Sequence, residues 1–92
     1  MNNEITLSVV KAYLRIDYDY EDFIIEGLIG AAKQFLLKAG VQPQSDNELY
    51  NLVVKMLVSL FYENRNAAEG DLKIPAIILH FITQLSAGNP EV

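Results

Sequence analysis

The sequence predicts an all-α protein, a small bundle of about four helices: one short at the N-terminus, two long, and one short at the C-terminus. Apolar residues recur at three- and four-residue spacing in four separate segments, and no stretch alternates apolar and polar residues as a half-buried strand does. Each of the three longer segments has its own start or stop signal. A chain of 92 residues predicts one domain spanning 1–92.

The first predicted helix runs from about Leu7 to Leu14, with Thr6 as its cap and Leu7, Val10 and Tyr13/Leu14 as its apolar stripe. It ends near Arg15–Asp17. The second runs from about Tyr20 to Ala39. Asp19 is its expected N-cap, and Glu21 and Asp22 sit in the first turn, where carboxylates favour the positive end of the helix dipole. Its expected buried face is Phe23/Ile24, Leu28, Ala31/Ala32 and Phe35/Leu36, with Lys38 in the last turn and Gly40 as the stop.

The third helix opens on Ser45-Asp46-Asn47-Glu48, which has the form of a capping box, and runs to about Asn64. From Leu49 to Tyr62, 11 of 14 residues are apolar; Asn51, Lys55 and Ser59 form one thin polar stripe. Such a helix is buried nearly all round, in a core or in an interface. The fourth is expected to start with Pro75 at its first position and to end near Leu85. The segment Asn66–Lys73 is polar, contains Gly70-Asp71 and is expected to be a mobile loop; residues 86–92 are expected to be a loose tail.

Composition narrows the functions. The chain has no cysteine, so thiolate metal sites, disulfides and cysteine nucleophiles are absent. Met1 to Ser8 lacks the basic and apolar parts of a signal peptide, and no apolar run is long enough to span a membrane. Twelve acidic residues against seven basic ones give a net charge of −5, which argues against a main role in gripping nucleic acid. Yet 51% of the residues are apolar and five more are glycine, above the roughly 45–50% of a typical soluble domain in a similar count. The surplus lies in Leu49–Tyr62 and Ile74–Leu85 and reads as subunit-contact surface.

No catalytic, cofactor or metal site is expected. His80 stands alone inside the run Ile77–Ile82, with no second imidazole and no displayed nucleophile, so it is a packed or interface residue. Asp17, Asp19 and Glu21 resemble the start of a calcium loop. The sixth position is Asp22 instead of Gly and the twelfth is Leu28 instead of Glu, so the motif fails. These acids read as a solvated helix start or as a patch for a basic partner. Gly27, Gly30 and Ala31 put small residues on one side of the second helix. Glycine there costs close to 1 kcal/mol relative to alanine, and close approach of another helix would offset it. Among five tyrosines, Tyr18 and Tyr20 lean towards the surface beside their charged neighbours. Candidate interaction residues are Asp17, Tyr18, Asp19, Tyr20, Glu21, Tyr62, Arg65, Glu69, Asp71, Lys73 and His80.

The order Val10-Lys11-Ala12-Tyr13-Leu14-Arg15-Ile16-Asp17, then Glu21-Asp22-Phe23-Ile24-Ile25-Glu26-Gly27-Leu28-Ile29-Gly30-Ala31-Ala32, then an apolar helix ending Phe61-Tyr62-Glu63-Asn64-Arg65, then a polar loop and Pro75, resembles the small head–tail connector (adaptor, or head-completion) proteins of tailed bacteriophages. The resemblance covers about residues 5–85. It departs at Lys38-Ala39-Gly40-Val41, where the family often has a Tyr/Thr-Gly-Arg-like turn, and at Gln84-Leu85-Ser86, where it often has an aromatic–Arg pair.

The resemblance implies a non-enzymatic virion protein, or a prophage-encoded equivalent, without cofactor. It implies a ring homo-oligomer beneath the portal protein, twelve-fold in many family members, that extends the DNA channel and docks head-closure or tail proteins. The protein would occupy the head–tail junction of the virion, and the host bacterial cytoplasm during assembly. DNA would pass without specific binding, and an acidic wall would keep it from sticking. Two other classes fit the composition: a helical protein-interaction module, and a DNA-binding regulator. The regulator needs a basic recognition helix, and the third predicted helix offers only Lys55 on its polar stripe. A small enzyme would need a nucleophile–base or metal constellation, which the sequence lacks.

Overall fold

The computed structural model describes residues 5–44, 46–64 and 73–87. They form four α-helices: α1 (Leu7–Leu14), α2 (Asp22–Lys38), α3 (Glu48–Glu63) and α4 (Ala76–Ala87). There is no strand among the described residues. The helix α3 is the centre of the arrangement: α1, α2 and α4 each pack on it, and α1 also packs on α2.

The helix ends follow from identifiable backbone chemistry. Thr6 adopts an extended conformation and its hydroxyl accepts the Val9 N–H at 3.3 Å, as an N-cap should. Helix α1 stops because Arg15 turns left-handed (φ 63°, ψ 43°). The Arg15 N–H then donates to the Ala12 carbonyl and the Ile16 N–H to the Lys11 carbonyl. Helix α2 ends the same way on the expected glycine. Gly40 has φ 93°, its N–H donates to Leu37, and the Val41 N–H reaches back to Leu36 at 2.9 Å. Val41 is thereby carried into the core beside Leu36. Among the described residues beyond its chain neighbours, nothing lies within 4 Å of a Cβ built at Gly40, so Gly40→Ala meets the left-handed backbone penalty there. It should lower the unfolding free energy by about 1 kcal/mol in denaturant titration.

Three helix starts differ from expectation. Helix α2 begins at Asp22, with Glu21 instead of Asp19 in the capping position and no side-chain cap. The Glu21 carboxylate is engaged by two tyrosine hydroxyls, described below, which keeps residues 18–20 out of the helix. Helix α3 is capped by Asn47, whose Oδ1 accepts the Leu49 and Tyr50 N–H groups at 2.9 and 3.2 Å. Glu48 is therefore the first helical residue, and no capping box with Ser45 forms; Ser45 itself lies outside the described residues. Pro75 precedes α4 instead of opening it. Its carbonyl accepts the Ile78 and Leu79 N–H groups, so its missing N–H costs nothing at the boundary. Helix α4 also continues past Leu85 to Ala87, so the segment expected to be loose begins helical; residues 88–92 lie outside the described residues.

One cluster forms the core: Val10 from α1; Ile25, Ile29, Ala32 and Leu36 from α2; Tyr50, Val53, Val54, Leu57 and Val58 from α3; Ile78, Ile82 and Leu85 from α4. Ile5 and Val41 join it from the connections. The expected polar stripe on α3 is not a solvated edge. Asn51 is buried, and Lys55 and Ser59 are half-buried. Lys55 lies 5.5 Å from the centre of the Tyr13 ring on α1, a cation–π contact that lets it sit among neighbours. The apolar surplus of α3 is thus used inside the chain, because three other helices need a surface to pack on.

Candidate interaction surfaces

The acidic link between α1 and α2 is tied to the end of α3 by a compact hydrogen-bond group. Tyr62, in the last turn of α3, donates its O–H to the Glu21 carboxylate. The Tyr18 hydroxyl lies 3.1 Å from that carboxylate and 3.1 Å from the Tyr62 oxygen, and donates to one of them at a time. Tyr20 stacks on Tyr18, with ring centres 4.3 Å apart and planes 15° from parallel. Beside it, Lys11 on α1 pairs with Asp22 at the start of α2 at 2.8 Å. Both partners are partly solvated, so that pair contributes about 1 kcal/mol at most.

The arrangement holds the proton on Tyr18. The hydrogen bond to Tyr62, partial loss of solvent and the nearby Glu21 push the ionisation of Tyr18 up to about 12. Tyr20 is raised chiefly by the charge that Tyr18 would acquire, and Tyr50, buried in the core, is raised by loss of solvent.

The candidate residues separate into three groups. Tyr18, Glu21 and Tyr62 are brought together as a half-buried tether, with Tyr20 stacked on its outer side. Asp17 and Asp19 are exposed around it, and Tyr20 is 78% exposed. Lys73 and His80 are exposed at and on α4, distant in sequence from that cluster. Arg65, Glu69 and Asp71, with most of the loop expected between Asn66 and Lys73, lie outside the described residues.

The larger surprise is an apolar face that the sequence reading assigned to the interior. Phe23 is 85% exposed and Ile24 is 42% exposed; the buried row of α2 is Ile25, Ile29, Ala32 and Leu36. Gly27, Gly30 and Ala31 lie on the exposed side, and among the described residues no atom beyond the helix's own neighbouring backbone comes within 4 Å of a Cβ built at either glycine. The close approach expected at these glycines is therefore not made by any described helix of the same chain. On α4, Ile77 is 53% and Leu79 48% exposed; two residues apart, they lie on opposite edges of its outer side, with exposed His80 and Thr83 between them.

No group of three His, Cys, Asp or Glu side chains among the described residues is placed to hold a metal ion. Among those residues, no helix is long and apolar enough to cross a membrane. Among the described residues the exposed features are an acidic, aromatic knob at the start of α2 and apolar side chains on α2 and α4, and aromatic and apolar exposure of this kind is what protein contacts use.

Comparison with known proteins agrees with that character. No curated protein and no solved structure matches the chain. Residues 4–77, most of the length, match the sequence model of one family, described as phage gp6-like head-tail connector protein. The chain belongs to the phage gp6-like head-tail connector family.

Proposed function

We propose that the chain is a non-enzymatic structural subunit of a bacteriophage virion or prophage particle. It assembles into a ring, twelve-fold in this reading, between the portal protein and the head-closure or tail proteins. The family match over residues 4–77 carries the reading. The exposed apolar side chains of α2, Phe23, Ile24 and Leu37, and of α4, Ile77 and Leu79, support it, since a subunit that spends its life in an assembly can expose surface that a lone monomer hides. The exposed Asp17, Asp19 and Tyr20, with Tyr18, Glu21 and Tyr62 behind them, form a surface for neighbouring proteins, and Lys73 and His80 form another.

Deleting the gene from the particle that encodes it tests the role. Heads should still assemble but lose infectivity through failure to retain DNA or join tails; fully infectious particles would refute the proposal. The net charge of −5 suits a wall that DNA slides past without sticking. Replacing the exposed acids Asp17, Asp19, Glu26, Glu48 and Glu63 together by lysine reverses the charge whichever side lines the channel, and should then slow DNA ejection from otherwise complete particles. Ejection at the normal rate would remove the electrostatic part of the reading.

A further inference from the structure

Opposite its buried row Ile25, Ile29, Ala32 and Leu36, helix α2 presents one continuous outer face. The exposed residues Phe23, Gly27, Gly30, Gln34 and Lys38 recur there at three- and four-residue spacing over nearly all of the 17 residues. Ile24 stands on one edge of this row and Leu37 on the other, both exposed. At Gly27 and Gly30, no described atom beyond the helix's own neighbouring backbone comes within 4 Å of a built Cβ.

The face complements itself when a second copy lies against it antiparallel. Its start is acidic and aromatic, with Asp19, Phe23 and Glu26; its end is basic and aliphatic, with Lys33, Leu37 and Lys38. The midpoint of the row falls between Gly30 and Ala31. Phe23 and Lys38 lie equally far from that midpoint, as do Gly27 and Gln34, so each residue meets the other member of its pair on the second copy. A two-fold axis through the midpoint also brings like edges together. On one edge, Leu37 comes against Phe23 of the second copy, and Glu26 comes within reach of its Lys33. On the other, Ile24 lies along the aliphatic stem of its Lys38. Symmetry makes each contact twice.

Charge selects this direction. A parallel pair would set Lys38 beside Lys38 and Asp19 beside Asp19, with the like ends of two helix dipoles together. Backbone shape agrees with it. The bare Gly27 gives the Gln34 side chain of the second copy room, and Gly30 with Ala31 lets the two helices approach closely where they cross. That approach is what two glycines inside a helix call for and what no described helix of the same chain makes.

We propose that the outer face of α2 pairs antiparallel with the same face of a second copy of this chain, forming a two-fold dimer that crosses at Gly30 and Ala31. The inference goes beyond the ring reading above. A two-fold contact is complete at two copies and does not propagate round a ring, so the dimer is a form of the free subunit.

The purified chain should sediment as a monomer–dimer equilibrium that ends at twice its 10.3 kDa mass. Introduced cysteines read the register, since the chain has none of its own. Gly30→Cys should oxidise to a covalent dimer, and Thr83→Cys, exposed on α4, should not. Phe23→Cys and Lys38→Cys should each stay unlinked alone and should link to each other when mixed. Linkage of Phe23→Cys alone would mean a parallel pair and would overturn the proposal. So would a Gly30→Cys chain that links no better than Thr83→Cys.

Charge reversal separates the contact from any loss of folding. Glu26→Lys should weaken the dimer by about tenfold or more, and adding Lys33→Glu to the same chain should restore it, because the exchanged charges meet again. A double variant as weak as the single one would overturn the proposal, as would a wild-type chain that stays monomeric at every concentration or grows past two copies. Gene deletion reads the virion role separately, so failure of the dimer leaves that test standing.

Discussion

Leu57→Ala should lower the unfolding free energy by about 2–5 kcal/mol, while Phe23→Ala should change it by no more than about 0.5 kcal/mol. Leu57 has no exposed surface and lies in the middle of α3, the helix that touches all the others. Truncating it removes buried methyl groups and leaves a cavity that three packed helices close only in part. A domain of this size has a stability of about 5–15 kcal/mol, so the variant should unfold at much lower denaturant or be partly unfolded in water. Phe23 is the larger residue, and its apolar spacing in the sequence gives it an equal claim to the core. Its side chain is 85% exposed, so there is almost no transfer energy to lose. Chemical denaturation of the monomeric subunit distinguishes the two. Equal losses would mean that α2 is rotated from the orientation described above.

Alkaline pH should unfold the protein through its tyrosines. Tyr18 ionises near 12 in the folded chain against 10 for the ordinary phenol, and Tyr20 and Tyr50 are shifted in the same direction. The folded state therefore holds protons that the unfolded state has already released as pH rises through 10. The contribution of these groups is fully present below pH 10 and is lost progressively between about 10 and 12. Tyrosinate absorbance of the native protein should rise at higher pH than that of the denatured chain. The unfolding free energy should fall over the same window, and Tyr18→Phe should flatten that fall. A wild-type stability that does not change across the window would show that the Tyr18 proton contributes nothing to the fold.

These two results probe the boundary of what could be read from the residues. The four helices were legible because their signals are local. Thr6 caps, Gly40 takes a left-handed turn, and the apolar spacing of α3 persists over its whole length. The rotation of α2 was not legible. Ile24/Ile25, Leu28/Ile29, Ala31/Ala32 and Phe35/Leu36 are adjacent pairs, and neighbours on a helix lie about 100° apart. Either member of each pair makes a regular apolar row. Only packing against α3 chooses Ile25, Ile29, Ala32 and Leu36. The same limit applies to the tyrosine group. Tyr18 and Tyr62 are separated by 44 positions, and nothing near either residue announces the other. The apolar side chains of α3 are buried or half-buried within the chain, whereas α2 and α4 expose Phe23, Ile24, Leu37, Ile77 and Leu79.

Mechanically, the position of α3 makes it the strut of the subunit. Its 16 residues form a rod about 24 Å long, and α2 and α4 bear on it. A push on the α4 flank reaches the α2 flank chiefly by way of the close-packed valines and leucine of α3, which yield little.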